Sequence, residues 1–236
     1  MNATPTNLGR AFARVAAIGV RIASAFDAVR GVGRWADASV GAARLACIIA
    51  IAGPTYGLGM GAFDLSTPQR WLLPLFAAMK VPLVLLGTFL VCVPGFFVLN
   101  SVAGVRSDWT RTRDAVMAGQ AAMAMCLASL TPLTLFLYAS GVDHRRAIWV
   151  SLATFTVATI AGQVVMQRRY RSLIAHASVH RVLFLAWIVM YAFVGVQFGW
   201  MLRPFVGTPG KPVEFLRDEA FTNAYVAVAR IVFGGR

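Results

Sequence analysis

The sequence is poor in acid. Only nine of its 236 residues are Asp or Glu, against 22 Lys and Arg, and 13% of the chain is charged. A soluble domain carries about 25% charged residues. So sparse a supply could not cover a water-facing surface, which argues against a soluble enzyme. Lysine is almost absent, at Lys80 and Lys211 alone; the other cations are arginine. No finger spacing, aromatic nucleic-acid signature or long basic run accompanies them. The net charge of +13 therefore does not read as a nucleic-acid footprint, and no nucleic-acid partner is expected. Cysteine is scarce too. Cys47, Cys92 and Cys126 all lie in apolar runs without metal-ligand spacing, which leaves no disulfide framework and no thiolate metal site. There is no Gly-rich phosphate loop, serine-nucleophile elbow or HExxH pair. Neither an enzymatic activity nor a cofactor is expected.

What the chain has is apolar length, with 58% of its residues hydrophobic. Runs at about 45–63, 82–104, 115–138, 147–166 and 182–202 are each near the ~20 residues that cross a bilayer. Pro74, Lys80 and Pro82 interrupt the start of the second run. The spacing predicts an interfacial or helix-extending piece at 69–80, with Lys80 snorkelling at the membrane edge. The predicted fold is an all-α polytopic membrane bundle of five transmembrane helices, with amphipathic helices at the N- and C-termini. Residues 1–40 form a basic tail, 41–206 the membrane domain, and 207–236 a far-side tail containing a short amphipathic helix at 220–233.

Within the tail, Arg10, Arg14 and Arg21 fall opposite a stripe of Leu8, Phe12, Val15, Ile22 and Phe26. A basic amphipathic helix of this kind suits an anionic membrane surface. Five spans place the termini on opposite sides, and arginine bias in short loops orients such chains. Arg106, Arg111, Arg113, Arg168, Arg169, Arg171 and Arg181 fall on the N-terminal side, against Arg70, Lys80, Arg145 and Arg146 on the other. The expectation is an integral protein of a bacterial inner membrane, N-terminus cytoplasmic and C-terminus outside. Its expected partners are the bilayer, anionic lipid at the N-terminal helix, and either a second copy of the chain or another membrane protein.

Few residues carry chemistry. Gly53, Gly57 and Gly61 recur every four residues, a small face that serves helix packing or an oligomer contact. Asn100, Gln120, Gln163 and Gln197 are neutral polar groups at membrane depth, able to bond across helices. Asp64, Asp108, Asp114 and Asp143 lie at span ends or in loops, which weakens a proton-coupled transporter. His176 and His180, four apart, would share a helix face and are metal candidates without a third ligand. Asp143-His144-Arg145-Arg146 reads as a polar turn. Trp200, Arg203, Pro204 and Phe205 read as an aromatic-basic interface anchor.

The layout of a cytoplasmic tail, five clustered helices and a short far-side C-terminus resembles the Yip family of five-span membrane proteins. Phe97–Gly104 (FVLNSVAG), Arg113–Ala118 (RDAVMA) and Leu130–Leu133 (LTPL) look like the second-to-third helix passage of its bacterial members, and the likeness spans 82–202. For the bacterial members the resemblance implies the five-helix layout and no particular activity. Eukaryotic members act in vesicle traffic with small GTPases. This sequence lacks their acidic-aromatic tail motif, and its Gly53-Pro-Thr-Tyr-Gly57 is embedded in a span. The absence of catalytic groups, the basic surface helix and the glycine packing stripe point to a non-enzymatic scaffold or membrane-organising protein that assists partners. The competing expectation is an oligomeric channel or passive transporter subunit assembled through the glycine face.

Overall fold

The computed structural model describes residues 41–208, 210, 213–216 and 224–226. The expected basic helix with Arg10, Arg14 and Arg21 lies outside the described residues. Five long helices follow in order: α1 (Ala42–Gly61), α2 (Leu72–Val102), α3 (Trp109–Ala139), α4 (His144–His176) and α5 (Val179–Met201). All five are long and apolar enough to cross a membrane. Short 3-10 turns at Pro68–Trp71 and Arg106–Asp108 lead into α2 and α3. There is no strand among the described residues.

Two glycines end helices as only glycine does cheaply. After α2, Gly104 takes φ +76°, and the Val105 N–H reaches back to the Asn100 carbonyl at 3.0 Å. After α3, Gly141 takes φ +79°. A left-handed residue at this position satisfies carbonyls that the last turn leaves open.

The helices outrun the apolar segments from which they were predicted. α2 is continuous from Leu72, so of the two expected readings of 69–80 the helix-extending one holds from Leu72 onward. Pro74 is the third residue of the helix, where its missing N–H would have had no intrahelical acceptor. Pro82 costs one backbone bond, which a membrane helix tolerates. At 31 residues α2 is about 46 Å long, more than the ~30 Å hydrocarbon core. α4 also continues ten residues beyond the predicted 166, carrying Arg168, Arg169 and Arg171 on a helix whose Tyr170 and Leu173 still pack in the core.

α1 is the centre. It packs between α2 and α3; α3 packs on α4, and α2 on α5. Leu45, Ile49, Tyr56 and Met60 of α1 are buried in a core that extends to Phe96 and Trp187. The outer surface is a belt of exposed Leu, Val, Ile and Phe, including Leu90, Val98, Phe136, Leu152, Val189 and Phe193. A contiguous apolar surface on this scale marks contact with lipid or protein. The end bearing the start of α1 and the α2–α3 and α4–α5 connections is called the near end. The end bearing the α1–α2 and α3–α4 connections and residues 202–208 is the far end.

Candidate functional site

The glycine face meets its own chain. A Cβ on Gly57 would overlap the Ala77 carbonyl and lie 2.6 Å from Ala78 Cα; one on Gly61 would lie 2.5 Å from Pro74 Cα. Gly53 is looser, with Pro82 Cβ at 3.2 Å. This stripe lets the α1 and α2 backbones approach closely. A second such contact was not anticipated: Gly119 of α3 and Gly162 of α4 face one another, so that a Cβ on Gly162 would be 2.7 Å from the Gly119 carbonyl oxygen. Each is the single glycine of its helix, preceded four residues earlier by a buried alanine, Ala115 and Ala158.

The α4–α5 pair behaves differently. Near the near end the helices touch, with the Tyr170 ring 5.7 Å from His180 and 5.6 Å from Phe184. Toward the far end they part and leave a wedge of about 700 Å³, within the ~300–1,000 Å³ of ligand pockets. Met60, Val84 and Thr88 form its back wall, Phe155 and Ile160 one side, Tyr191 and Gly195 the other. Its rim includes the exposed Ile148, Leu152 and Val196, so it opens sideways, where acyl chains would lie.

Polar groups in the wedge are few. The Tyr191 hydroxyl donates to Gln120 Oε1 at 2.7 Å, which accounts for that buried glutamine. Gln163 lines the wedge, and its Oε1 is buried without a partner among the described residues. Thr88 is fully buried, and its hydroxyl also has no partner. Among the described residues Thr112, equally buried, shares this, but most hydroxyls of the bundle are paired. Thr55, Ser101, Thr134, Ser151 and Thr156 each donate to the carbonyl four residues back. Leaving a buried hydroxyl unpaired costs about 1–3 kcal/mol. Such a group is a place for a guest or a water.

Residues 203–208 roof the wedge at the far end. Phe205 packs toward Phe155, and Arg203 lies over the Trp200 indole, 3.3 Å from the ring centroid. The expected interface anchor is thus folded partly inward: Arg203, Pro204 and Phe205 line the wedge. Two buried cations hold the roof from behind. Lys80, 1% exposed, donates to the Pro204 carbonyl at 2.7 Å and lies over the Phe215 ring. It does not snorkel as expected, because residues more than 120 positions away close over it. Arg70 pairs with Asp64 at 3.1 Å and donates to the Asp64 and Thr208 carbonyls. A hydrogen bond from Ser66, helped by Arg70, holds the Asp64 carboxyl below its ordinary range.

The other candidates separate. His176 ends α4 and is exposed, whereas His180 belongs to α5 and is fully buried. The break at Ala177 removes the shared helix face on which the metal pairing depended. His180 Nε2 instead bonds Asp108 Oδ2 at 3.0 Å, tying α5 to the α2–α3 connection. No group of three metal-capable side chains occurs among the described residues. Asn100 donates to the Phe96 carbonyl of its own helix. Gln197 Oε1 accepts the Ala224 N–H, and Tyr225 stacks on Phe193 at 4.5 Å, so this part of the C-terminal segment docks against α5. Asp143 precedes α4 and pairs with exposed Arg146, as a polar turn would. Comparison with protein-family models, curated proteins and solved structures finds no match for this chain.

Proposed function

We propose that the chain is a non-enzymatic, membrane-organising protein of a bacterial inner membrane that holds a hydrophobic guest taken laterally from the bilayer. The observation carrying this reading is the wedge between α4 and α5, apolar, open at its side and backed by an unpaired Thr88 hydroxyl. A photoactivatable acyl phospholipid incorporated with the purified protein tests it. Crosslinks should concentrate on α4 and α5 peptides bearing Leu152 and Val196, and Gly199→Leu should suppress them. Gly199 lines the wedge and no atom lies within 4 Å of a Cβ built there, so a side chain at this position starts into open space. Crosslinks spread evenly over Leu90, Val98 and Phe193 would sink the reading.

We place the N-terminus in the cytoplasm. Arg44, Arg106, Arg111, Arg113, Arg171 and Arg181 are exposed at the near end, whereas only Arg145 and Arg146 are exposed at the far end between residues 62 and 208. Exposed arginines are the ones that resist translocation. In a Cys47→Ser background, cysteine at Ser107 or Ser178 should be shielded from an impermeant reagent, and cysteine at Ser66 accessible. The reverse pattern inverts the orientation. Membership of the Yip-like group belongs to the same proposal and rests on the residues quoted for it. The channel or passive-transporter reading needs a free glycine face for assembly, and that face packs against α2. Solute flux through liposomes would revive it.

A further inference from the structure

The guest has a polar end if the far mouth of the wedge was built for one. Arg203 and His144 line the wedge at that end. His144 is also the first residue of the 33-residue α4, and a long helix presents partial positive charge and open N–H groups at its start. Its Nδ1 is buried without a partner among the described residues. Arg203 is stacked on Trp200, which holds the guanidinium plane in place. A planar, oriented guanidinium is the side chain best suited to phosphate. Behind the roof sit Arg70 and Lys80, both buried, and beside His144 stand Arg145 and Arg146. The described acids at this end are Asp64, Asp143 and Glu214, and the first two are already paired with Arg70 and Arg146. The mouth is therefore electropositive, and the cavity below it is apolar.

We infer that the wedge binds an anionic phospholipid, its acyl chain between α4 and α5 and its headgroup at Arg203 and the start of α4. This rests on the lateral-guest reading above and goes beyond it by naming the headgroup. The full chain, reconstituted in vesicles mixing phosphatidylglycerol with phosphatidylcholine and then released into mild detergent, is examined by native mass spectrometry. The wild type should retain phosphatidylglycerol over phosphatidylcholine by about tenfold: both lipids offer the phosphate to Arg203, and the choline cation of the second is what an electropositive mouth disfavours. Arg203→Gln should bring the preference to near unity while the lipid is still retained, and Gly199→Leu should lower retention of both. Raising salt during release of the wild type should erode the preference, so the charge effect is readable even if Arg203→Gln does not fold. Equal wild-type retention of the two lipids overturns the headgroup assignment alone, provided Gly199→Leu still lowers retention. Retention that Gly199→Leu leaves unchanged overturns the wedge reading and the headgroup assignment with it.

Discussion

Replacing Gly57 with alanine should destabilise the bundle, although alanine is the better helix former. The added Cβ would lie 2.6 Å from Ala77 C and Ala78 Cα, where ordinary contact begins at 3.4 Å. The shortfall is 3.4 − 2.6, or 0.8 Å. The obstructing atoms are helix backbone, so no rotamer change relieves them. α1 cannot simply retreat either, because α3 packs on its other side. Overpacking of this kind costs about 1–3 kcal/mol. The alanine propensity gain returns about 1 kcal/mol, and the lost backbone contact along the stripe adds to the cost. A net loss of about 1–2 kcal/mol is expected. Gly53→Ala should be close to neutral, because the nearest atom is the Pro82 Cβ at 3.2 Å. Gly199→Ala, with nothing within 4 Å, should stabilise by up to about 1 kcal/mol. Reversible unfolding in mixed micelles, or steric trapping in bicelles, would rank the three. A Gly57→Ala protein as stable as the wild type would refute the close α1–α2 approach and reopen the glycine face as an oligomer contact.

Two further predictions concern polar contacts at the ends of the bundle. Asp64 has a lowered pKa in the folded chain, so its contribution to stability is complete above the unfolded carboxylate value of about 3.9 and is lost as pH falls through the lower folded value. A fluorophore at Thr208→Cys should report loosening of the 203–208 roof in that acid range, and Asp64→Asn should abolish the transition; an unchanged transition would count against the Asp64–Arg70 clamp. At the near end, His180→Leu removes the donor facing Asp108, which is 14% exposed and partly open to water. A loss of about 1–3 kcal/mol is expected, with a double-mutant cycle against Asp108→Asn showing coupling; additive losses would mean that the 3.0 Å contact contributes little.

Much of the architecture was readable from local pattern. Five apolar runs announced five helices because hydrocarbon admits a backbone only when its polar groups bond within the segment. Helix ends were less legible. Gln167–His176 is polar, so hydropathy stops at 166, but these residues form helix as readily beyond the lipid as within it. The Gly53, Gly57 and Gly61 face was visible from its spacing; its occupant, the Ala77–Ala78 backbone, was not. The Gly119–Gly162 contact left only the short spacings Ala115-xxx-Gly119 and Ala158-xxx-Gly162, which do not say that the two helices meet, and His176 and His180 looked like a pair only while one helix was assumed to carry both.

The residues that matter most depend on distant chain. Lys80 alone reads as a charge bound for the membrane edge, and it becomes buried because Pro204 supplies a carbonyl and Phe215 a ring. The wedge is more remote still from the sequence. It is a gap between two helices, and a helix that is apolar all round carries no mark of which stretch will lack a neighbour. Composition alone determined that this chain forms helices suited to a bilayer. Tertiary packing decided where those helices part, because separation is set by the contacts of α2, α3 and the returning 203–208 segment rather than by either wall.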